Sequence, residues 1–326
     1  MRAILCKEWG GPEKLVLEQM PSPPMREGAV RIAVHAAGLN FADLLLISGQ
    51  YQEKPAFPFC PGIEVAGVIT EIGAGVSNLT IGDRVMALIG TGAYSEEVVA
   101  SADRVYRIPD KMDFDSAAGF PVAYGTSYGS FDWRAHLQPE EWLLVHGAAG
   151  GVGLTAVEIG KALGAKVIAT AGNPEKLAIA KEHGADYLID YSCEDIRERV
   201  KTITGGRGAD VIYDPVGGDA FDASLRCVAW GGRIVIIGFA SGRISQIPAN
   251  LVLVKNVDII GFYWGSYQGR KPELLRQCYS KLFEWFDEGK LKPHVSARFD
   301  LADAAHALDF LRQRKSTGKV VLTMGR

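Results

Sequence analysis

One segment near the middle of the chain constrains the fold more than any other. The residues Trp142-Leu-Leu-Val-His-Gly-Ala-Ala-Gly-Gly-Val-Gly153 form a short apolar run, a glycine-rich turn and the start of an amphipathic helical pattern. This order predicts a strand, a turn and a helix whose N-terminal N–H groups can bind a diphosphate. A second apolar run, Lys166–Ala171, follows at the distance expected of a βαβ unit. The sequence therefore predicts a dinucleotide-binding site at this turn.

The glycines of the turn have different expected roles. Gly150 and Gly151 let the backbone approach a pyrophosphate, and Gly153 lets the helix pack closely against the strand. The first glycine of the usual G-x-G-x-x-G pattern is Ala148 here, so the motif is incomplete and its strand–turn–helix context has to support it. The alternative is an ordinary tight turn between strand and helix. The predicted diphosphate contacts are Ala149, Gly150, Gly151, Val152 and Gly153.

From Trp142 to Phe262, apolar strand patterns alternate with helical patterns. The predicted strands are residues 143–146, 166–171, 187–190, 211–214, 233–238 and 257–262. The predicted helices are residues 152–163, 174–183, 195–203 and 220–229. Short apolar strands separated by helices indicate a parallel sheet covered on both faces. We therefore expect an α/β fold with a doubly wound, Rossmann-type domain over residues 124–262.

The flanking segments have a different character. Short β-rich segments punctuated by glycine and proline predict a Greek-key or barrel-like β domain in the first 120 residues. Those segments are residues 2–6, 29–37, 64–72, 84–87 and 95–100. After the last Rossmann strand, residues 273–287 and 302–314 have helical patterns, and residues 318–323 form a final strand. This tail has no βα partner, so we expect residues 1–123 plus 263–326 to form one domain, with the active site in the cleft between the two domains.

Composition and charge exclude several classes of protein. At 326 residues the chain is too long for one ordinary core, and two domains are expected. A net charge of −3 argues against binding to nucleic acid, and no apolar stretch is long enough to span a membrane. The N-terminal apolar run is too short for a signal peptide. Five scattered cysteines without C-x-x-C spacing suggest neither a disulfide framework nor a structural zinc site. We expect a cytoplasmic protein.

Further motifs extend over nearly the whole chain. They are Ala36-Ala-Gly-Leu-Asn-Phe-Ala-Asp43, Pro61-Gly-Ile-Glu-Val-Ala-Gly67, Gly82-Asp-Arg-Val85, Ala123-Tyr-Gly-Thr126, Tyr213-Asp-Pro-Val-Gly217 and Gly318-Lys-Val-Val-Leu322. With the glycine-rich turn, they give a chain that resembles the medium-chain dehydrogenase/reductase superfamily. Within it, the chain is similar to the zinc-free quinone oxidoreductase (zeta-crystallin-like) branch. The resemblance implies a Rossmann domain inserted into a β-rich, GroES-like catalytic domain.

The same resemblance argues against a catalytic metal. Zinc alcohol dehydrogenases of this superfamily carry a cysteine where this chain has Asn40 and a histidine where it has Ile63. Their third ligand falls near Phe120 or Pro121. Zinc requires nitrogen, sulfur or carboxylate ligands, which these residue types do not supply, and Glu64 alone does not make a site. We therefore expect no metal, and a hydride transfer in which the protein positions the substrate beside a nicotinamide cofactor.

The end of the second Rossmann strand predicts which nicotinamide cofactor is used. NAD-preferring domains usually place an acidic residue there, and this chain has Gly172. Asn173 can donate a hydrogen bond to a phosphate, and Lys176 matches a phosphate-binding lysine of related quinone reductases. The alternative for Lys176 is a solvated helix residue. We therefore predict NADPH. The resemblance implies further cofactor contacts at Thr126, Tyr191, Phe239 and Arg314. For Tyr191 and Phe239, the alternative is ordinary packing at the end of a strand.

The predicted catalytic residues are implied by the resemblance. Asn40 and Asp43 match the polar pair that faces nicotinamide and substrate, with helix capping as the alternative for Asp43. Tyr51 matches a tyrosine of the substrate pocket, where it can stack on a quinone ring or donate a proton. Many relatives carry another tyrosine where this chain has Leu46, so the pocket is altered.

Substrate class remains open between related reactions. An electron-poor quinone accepts a hydride and then takes protons from water, whereas an enone needs a proton delivered to carbon. Because the chain offers no clear acid besides Tyr51, the sequence favours an NADPH-dependent quinone oxidoreductase. The alternatives are an NADPH-dependent enone or 2-enoyl-thioester reductase and, in a different class, a non-catalytic nucleotide- or RNA-binding protein. The resemblance also implies a homodimer, for which the apolar edge strand 257–262 offers a pairing surface.

Overall fold

The computed structural model describes residues 1–325, which form fifteen strands and eleven α-helices. The strands are β1 (Arg2–Cys6), β2 (Leu15–Gln19), β3 (Ala29–Gly38), β4 (Glu64–Ile72), β5 (Arg84–Leu88), β6 (Glu97–Ser101), β7 (Val105–Arg107), β8 (Trp142–Val145), β9 (Lys166–Ala171), β10 (Tyr187–Asp190), β11 (Ala209–Asp214), β12 (Val228–Ile236), β13 (Asp258–Gly261), β14 (Val295–Asp300) and β15 (Lys319–Thr323). The helices are α1 (Phe41–Ile47), α2 (Phe114–Ala118), α3 (Phe120–Gly129), α4 (Gly151–Ala162), α5 (Pro174–Glu182), α6 (Ile196–Ile203), α7 (Gly218–Cys227), α8 (Ala249–Lys255), α9 (Tyr267–Arg270), α10 (Pro272–Asp287) and α11 (Ala304–Arg312).

The chain divides into two compact units. The first comprises Met1–Val122 and the segment that begins at Pro293, and the second is Ala123–Lys292. The sequence predicted that the chain re-enters the first domain at residue 263, which is thirty residues before it does so at Pro293. Helix α10 belongs instead to the second unit, where the ring of Trp285 lies 5.8 Å from that of Tyr128. An amphipathic pattern predicts that a helix buries one face without identifying its partner, which explains the error.

The second unit contains the predicted doubly wound parallel sheet. Its strand order is β10-β9-β8-β11-β12-β13, and every neighbouring pair is parallel. The α/β fold class is therefore confirmed. The start of one strand was predicted five residues too late: β12 starts at Val228, inside the segment predicted as helical, and ends at Ile236. Its register with β11 is irregular at this point, and Gly231 there adopts a positive φ of 70°.

The first unit is built mainly of antiparallel strands. Its larger sheet has the order β14-β15-β3-β4-β5-β7, with β6 also paired to β3, while β1 and β2 form a separate hairpin. The last strand, β15, pairs antiparallel with β3, so the tail of the chain completes this sheet. The buried apolar core includes Val34, Val65 and Leu322. The β-rich character predicted for this part of the chain is confirmed.

Two further observations concern the whole described chain. Across residues 1–325, every helix is too short or too polar to cross a membrane. All five cysteines lie in this part of the chain and are free thiols.

Candidate active site

The glycine-rich turn joins β8 to α4 in a tight backbone arrangement. The N–H of Gly150 donates to the carbonyl of Gly147 at 2.9 Å, and Gly150 is the N-cap residue of α4. A Cβ atom added to Gly153 would lie only 2.1 Å from the same carbonyl oxygen. The first turn of α4 therefore rests directly on the turn that precedes it. The N–H groups of that first helical turn have no partner within the helix, and they suit a diphosphate.

The structure also explains the incomplete glycine motif. Gly147, with φ of 57°, adopts the left-handed conformation that glycine accommodates best, while Ala148 is fully buried. The glycine that this turn requires thus stands one position before the expected one. Sequence reasoning missed Gly147, although it lies inside the segment that was singled out.

Helix α3 supports the glycine-rich turn from one side. The Ser127 hydroxyl donates to the carbonyl of Val152 at 3.0 Å. The same hydroxyl lies 2.8 Å from that of Thr155 and 3.1 Å from that of Tyr213, and all three residues are buried. Thr126 is therefore adjacent in sequence to a residue bonded to the first turn of α4, and its contact with the cofactor remains a prediction.

Four of the predicted NADPH residues come together where β9 ends. Asn173 caps α5, and its side-chain oxygen accepts the N–H of Lys176 at 2.9 Å, which leaves the amide NH2 group as a donor. A Cβ atom added to Gly172 would lie 2.8 Å from the hydroxyl oxygen of Tyr191. The missing side chain thus leaves room for the phenol. An amide, a phenol and a helix-start lysine are donors that fit the 2′-phosphate of NADPH.

The remaining cofactor predictions fall in two different places. Phe239 lies beside the turn after β11, since a Cβ atom on Gly217 would come within 3.0 Å of its ring. Arg314 lies in the first unit, just after α11, in a left-handed conformation with φ of 57°. The roles of both residues remain predictions.

In the first unit, Asn40 belongs to a buried network that includes an ion pair. Lys319 Nζ lies 2.8 Å from Glu64 Oε1, 2.8 Å from Asn40 Oδ1 and 2.5 Å from the carbonyl oxygen of Leu39. Asn40 Nδ2 donates to Glu64 Oε1 at 2.8 Å, and the N–H of Val122 donates to Glu64 Oε2 at 2.9 Å. Glu64 is fully buried and Lys319 is 7% exposed.

Asp43 is held inside the same unit. Its Oδ2 accepts the backbone N–H of Asn40 at 2.7 Å and the hydroxyl of Tyr94 at 2.8 Å, and the residue is 1% exposed. Burial raises the pKa of Asp43 to about 6, although the bonds from Tyr94 and Asn40 and the charge of Lys319 act in the opposite direction. These contacts favour the capping interpretation over direct contact with substrate. The catalytic role of Asp43 remains a prediction.

The donor set around Asn40 does not suit a metal ion. Asn40 Oδ1 and Glu64 Oε1 both accept from the ammonium of Lys319, so a cation already occupies their acceptor positions. Ile63 offers no ligand atom. Nowhere in residues 1–325 do three His, Cys, Asp or Glu side chains converge as a metal-binding group. Tyr51 packs against the apolar core of the same unit, and its N–H donates to the carbonyl of Leu45.

Sequence reasoning missed two members of this network. Tyr94 and Lys319 are separated from their partners by 51 and 255 residues in the chain. The motif Gly318-Lys-Val-Val-Leu322 was singled out without assigning a task to its lysine. Lys319 starts a strand whose next three residues are apolar, and a charged residue at the head of such a run was the available signal.

Comparison with known proteins extends the likeness to the whole chain. Residues 26–110 match the alcohol dehydrogenase GroES-like domain, and residues 151–284 match the domain family described as zinc-binding dehydrogenase. Quinone oxidoreductase-like protein 2 homolog of Nematostella vectensis is 45% identical over 324 residues, covering 98% of this chain and 88% of the relative. A quinone oxidoreductase of Pseudomonas aeruginosa is 38% identical over 98% of this chain and 99% of its own length.

A solved structure has the same fold. The Escherichia coli quinone oxidoreductase complexed with NADPH is 33% identical, with a TM-score of 0.93 over 99% of this chain and all of the other. The matched domains and these relatives leave almost no part of the chain uncovered. The chain therefore belongs to the quinone oxidoreductase family of the medium-chain dehydrogenase/reductase superfamily, and it is an oxidoreductase of that family.

Proposed function

We propose that this protein is an NADPH-dependent, zinc-independent quinone oxidoreductase. The observation that carries the proposal is the turn between β8 and α4, where Gly147 and Gly153 bring the helix N-terminus onto a tight backbone turn. Bound there, NADPH supplies the hydride, while the protein supplies binding and orientation. The ion pair of Lys319 with Glu64, beside Asn40, supports a reaction without a metal ion.

NADPH is favoured over NADH by the end of β9. Gly172 places no carboxylate near a 2′-phosphate, and Asn173, Lys176 and Tyr191 offer an amide, an ammonium and a phenol. The Escherichia coli neighbour, whose structure holds NADPH, adds support from a relative.

The side chains of the first unit have distinct proposed tasks. Asn40 donates a hydrogen bond to a substrate oxygen, where negative charge develops as the hydride arrives. Tyr51 stacks on the quinone ring. Asp43 fixes the start of α1 through the N–H of Asn40. Since both contacts of the Asp43 carboxylate are internal, the chain offers no dedicated acid at Asp43, and the proton reaches the product from water.

Steady-state oxidation of NADPH against a panel of acceptors tests this proposal. The panel is 1,4-benzoquinone, 9,10-phenanthrenequinone, an alkyl enone and crotonyl-CoA, each repeated with NADH and with EDTA. We expect rapid turnover of the quinones alone, unchanged by the chelator. Turnover of the enone or thioester in place of the quinones would instead identify an alkene reductase on the same scaffold. Tight NADPH binding without turnover of any acceptor would favour a non-catalytic role.

Lys176→Ala tests the choice of cofactor. We expect the Kd for NADPH to rise about 10- to 100-fold and the Kd for NADH to change by less than about twofold, because a charge-assisted hydrogen bond contributes roughly 1.5–3 kcal/mol. Quenching of tryptophan fluorescence on titration measures both constants. Lys181→Ala, on an exposed position of the same helix, is the matched control and should leave both constants unchanged. An equal loss for the two cofactors would remove the phosphate-binding role.

We also propose that the protein is a homodimer formed along β13, the edge strand of the parallel sheet. Trp230 of β12, the strand paired with β13, and Leu253 of α8, the helix that precedes β13 in the chain, are each 76% exposed. Exposed apolar residues next to an open strand edge favour pairing with a second copy. We expect Leu253→Glu with Trp230→Lys to convert a dimer to a monomer in light scattering. A wild-type mass of one chain at micromolar concentration would contradict the proposal.

We also propose that the protein is located in the cytoplasm. All five cysteines are free thiols, which is typical of proteins in reducing compartments.

A further inference from the structure

Lys319 has no N–H left for a substrate or a cofactor. A lysine ammonium carries three donors, and here the three acceptors are the Leu39 carbonyl, Asn40 Oδ1 and Glu64 Oε1. A buried ion pair is costly unless its geometry is good, and the three contacts of Lys319 supply that geometry. Because all three donors are used within the protein, any effect of Lys319 on the site passes through the residues that it contacts.

The two charges decide how the Asn40 amide is oriented. Its oxygen faces the ammonium of Lys319, and its nitrogen faces the carboxylate of Glu64. Rotation of the amide by 180° would set NH2 against the ammonium and oxygen against the carboxylate, and both contacts would be repulsive. Only one orientation satisfies both partners.

The orientation leaves one donor over. Asn40 Nδ2 carries two N–H groups, and among the contacts of residues 1–325 it donates one hydrogen bond, to Glu64. Asn40 itself is only partly buried, unlike Glu64 and Lys319. The second N–H of Asn40 is therefore available to a ligand, whereas the three donors of Lys319 are all used within the protein.

Two glycines pack against the ion pair and fix its place. A Cβ atom on Gly38 would lie 2.4 Å from Glu64 Oε1, and one on Gly119 would lie 3.0 Å from Cβ and Cγ of Lys319. Neither backbone conformation is left-handed, so these glycines serve close packing. Both partners of Asn40 are thereby held in position by backbone that leaves no room for side chains.

We propose that Lys319 and Glu64 are positioning residues that lock the Asn40 amide in a single orientation, in which its second N–H serves the oxygen of the substrate. The inference deepens the proposed quinone reductase function and rests on it. Lys319 and Glu64 touch no reacting atom in this account, and Asn40 is the residue that contacts the substrate.

The reaction has a need for such a donor. The quinone receives two electrons and a hydrogen nucleus as a hydride from NADPH, which leaves as NADP+. The product is the hydroquinone monoanion, whose negative charge lies on oxygen until a proton from water completes the hydroquinone. An N–H already aimed at that oxygen requires no reorganisation as the charge develops.

A double-mutant cycle tests whether Lys319 and Glu64 act through Asn40. Lys319→Met with Glu64→Gln removes both charges together, so neither is left buried and unpaired. In the wild-type background we expect kcat with benzoquinone to fall about 10- to 100-fold, less than the roughly 100- to 1,000-fold that outright removal of a positioned donor costs, with the KM for NADPH nearly unchanged. In an Asn40→Ala background the same pair of changes should cost less than about twofold in kcat.

Three further variants serve as controls. Lys319→Arg keeps the charge and should retain most of kcat. Arg298→Gln removes the exposed ion pair with Asp115 in the same unit and should leave kcat unchanged. If the charge-free pair does not fold, Lys319→Gln with Glu64→Gln carries the cycle. It also removes both charges, and because each glutamine amide can present either its oxygen or its NH2 group, the two no longer fix how Asn40 is oriented. Equal losses of kcat with and without Asn40 would overturn the proposal and leave the ion pair a structural role.

A second readout does not depend on turnover. In protein labelled with 15N-asparagine, the side-chain signals of Asn40 are those missing from Asn40→Ala. We expect at least one of the two proton resonances to be displaced from the position usual for an exposed asparagine and to exchange slowly with solvent. In the variant without the two charges, both should return to the usual positions and exchange fast. The usual positions and fast exchange in the wild type would overturn the locking itself, even if the enzyme proved to reduce another acceptor.

Discussion

Replacement of Gly153 by alanine is expected to lower kcat/KM for NADPH by at least about 100-fold and to destabilise the protein by about 1–3 kcal/mol. The added methyl group would lie 2.1 Å from the carbonyl oxygen of Gly147 and 3.0 Å from Cα of Ala148. Both obstacles are backbone, so α4 has to move away from the turn. Overpacking of this kind typically costs 1–3 kcal/mol, and a displacement of about 1 Å in a binding group can cost about 100-fold in rate.

Gly150→Ala provides the matched comparison for this effect. Its added Cβ atom would lie 3.3 Å from the same carbonyl oxygen, in an extended backbone conformation that alanine adopts freely. We therefore expect little change in the Tm of Gly150→Ala and a clear drop in the Tm of Gly153→Ala. Calorimetry without NADPH measures the Tm of each variant, and the rise in Tm when NADPH is added reports its affinity for the cofactor. A Gly153→Ala protein with wild-type Tm and NADPH affinity would show that α4 is not held against the turn as described.

The free energy of unfolding is expected to fall by about 3 kcal/mol between about pH 4 and pH 7 because of Asp43 alone. Burial raises the pKa of this carboxyl from 3.8 to about 6 in the folded protein. Below about pH 4 the group is protonated in both states and contributes nothing. As the pH rises towards 6 the unfolded chain ionises first, so the folded state loses stability. Above about pH 6 both states are ionised and the loss of stability stays constant. Each tenfold difference in acid dissociation constant between the two states corresponds to about 1.4 kcal/mol, so a rise in pKa from 3.8 to about 6 gives about 3 kcal/mol.

Asp43→Asn isolates this contribution. The variant cannot ionise, so its free energy of unfolding, measured with urea, should rise relative to that of the wild type by about 3 kcal/mol over the same pH range. Tyr94→Phe removes a hydrogen bond that lowers the pKa, and it should move the midpoint of the effect to higher pH. Parallel pH profiles for Asp43→Asn and the wild type would rule out a buried, perturbed Asp43.

Much of the fold follows from local sequence patterns. The strands β8 to β11 and β13 are short apolar runs between helical patterns, and such runs identify a parallel sheet without long-range information. The start of β12 was predicted wrongly because Val228-Ala229-Trp230 continues an amphipathic helical pattern until two glycines interrupt it. Helix α10 was predicted within one residue of its observed start, but its unit was not, since that depends on contacts such as Trp285 with Tyr128.

The candidate sites divide in the same way. The residues of the glycine-rich turn and of the end of β9 are neighbours in sequence, so their grouping could be predicted from spacing and chain order. The network around Asn40 could not, because Lys319 reaches it from a strand 279 residues away. Asp43 shows the converse case. Helix capping was already the alternative interpretation of Asp43, and the structure contains a bond from the N–H of Asn40 to its carboxylate.

The central claim is hydride transfer from NADPH to a quinone without a metal ion. The most direct measurement is anaerobic NADPH consumption by protein dialysed exhaustively against EDTA, with 9,10-phenanthrenequinone as the sole acceptor. We predict one NADPH oxidised for each quinone reduced, at a rate that added zinc does not raise, and a much lower rate with NADH. Protein that binds NADPH yet reduces the quinone only after zinc is restored, or not at all, would contradict the account.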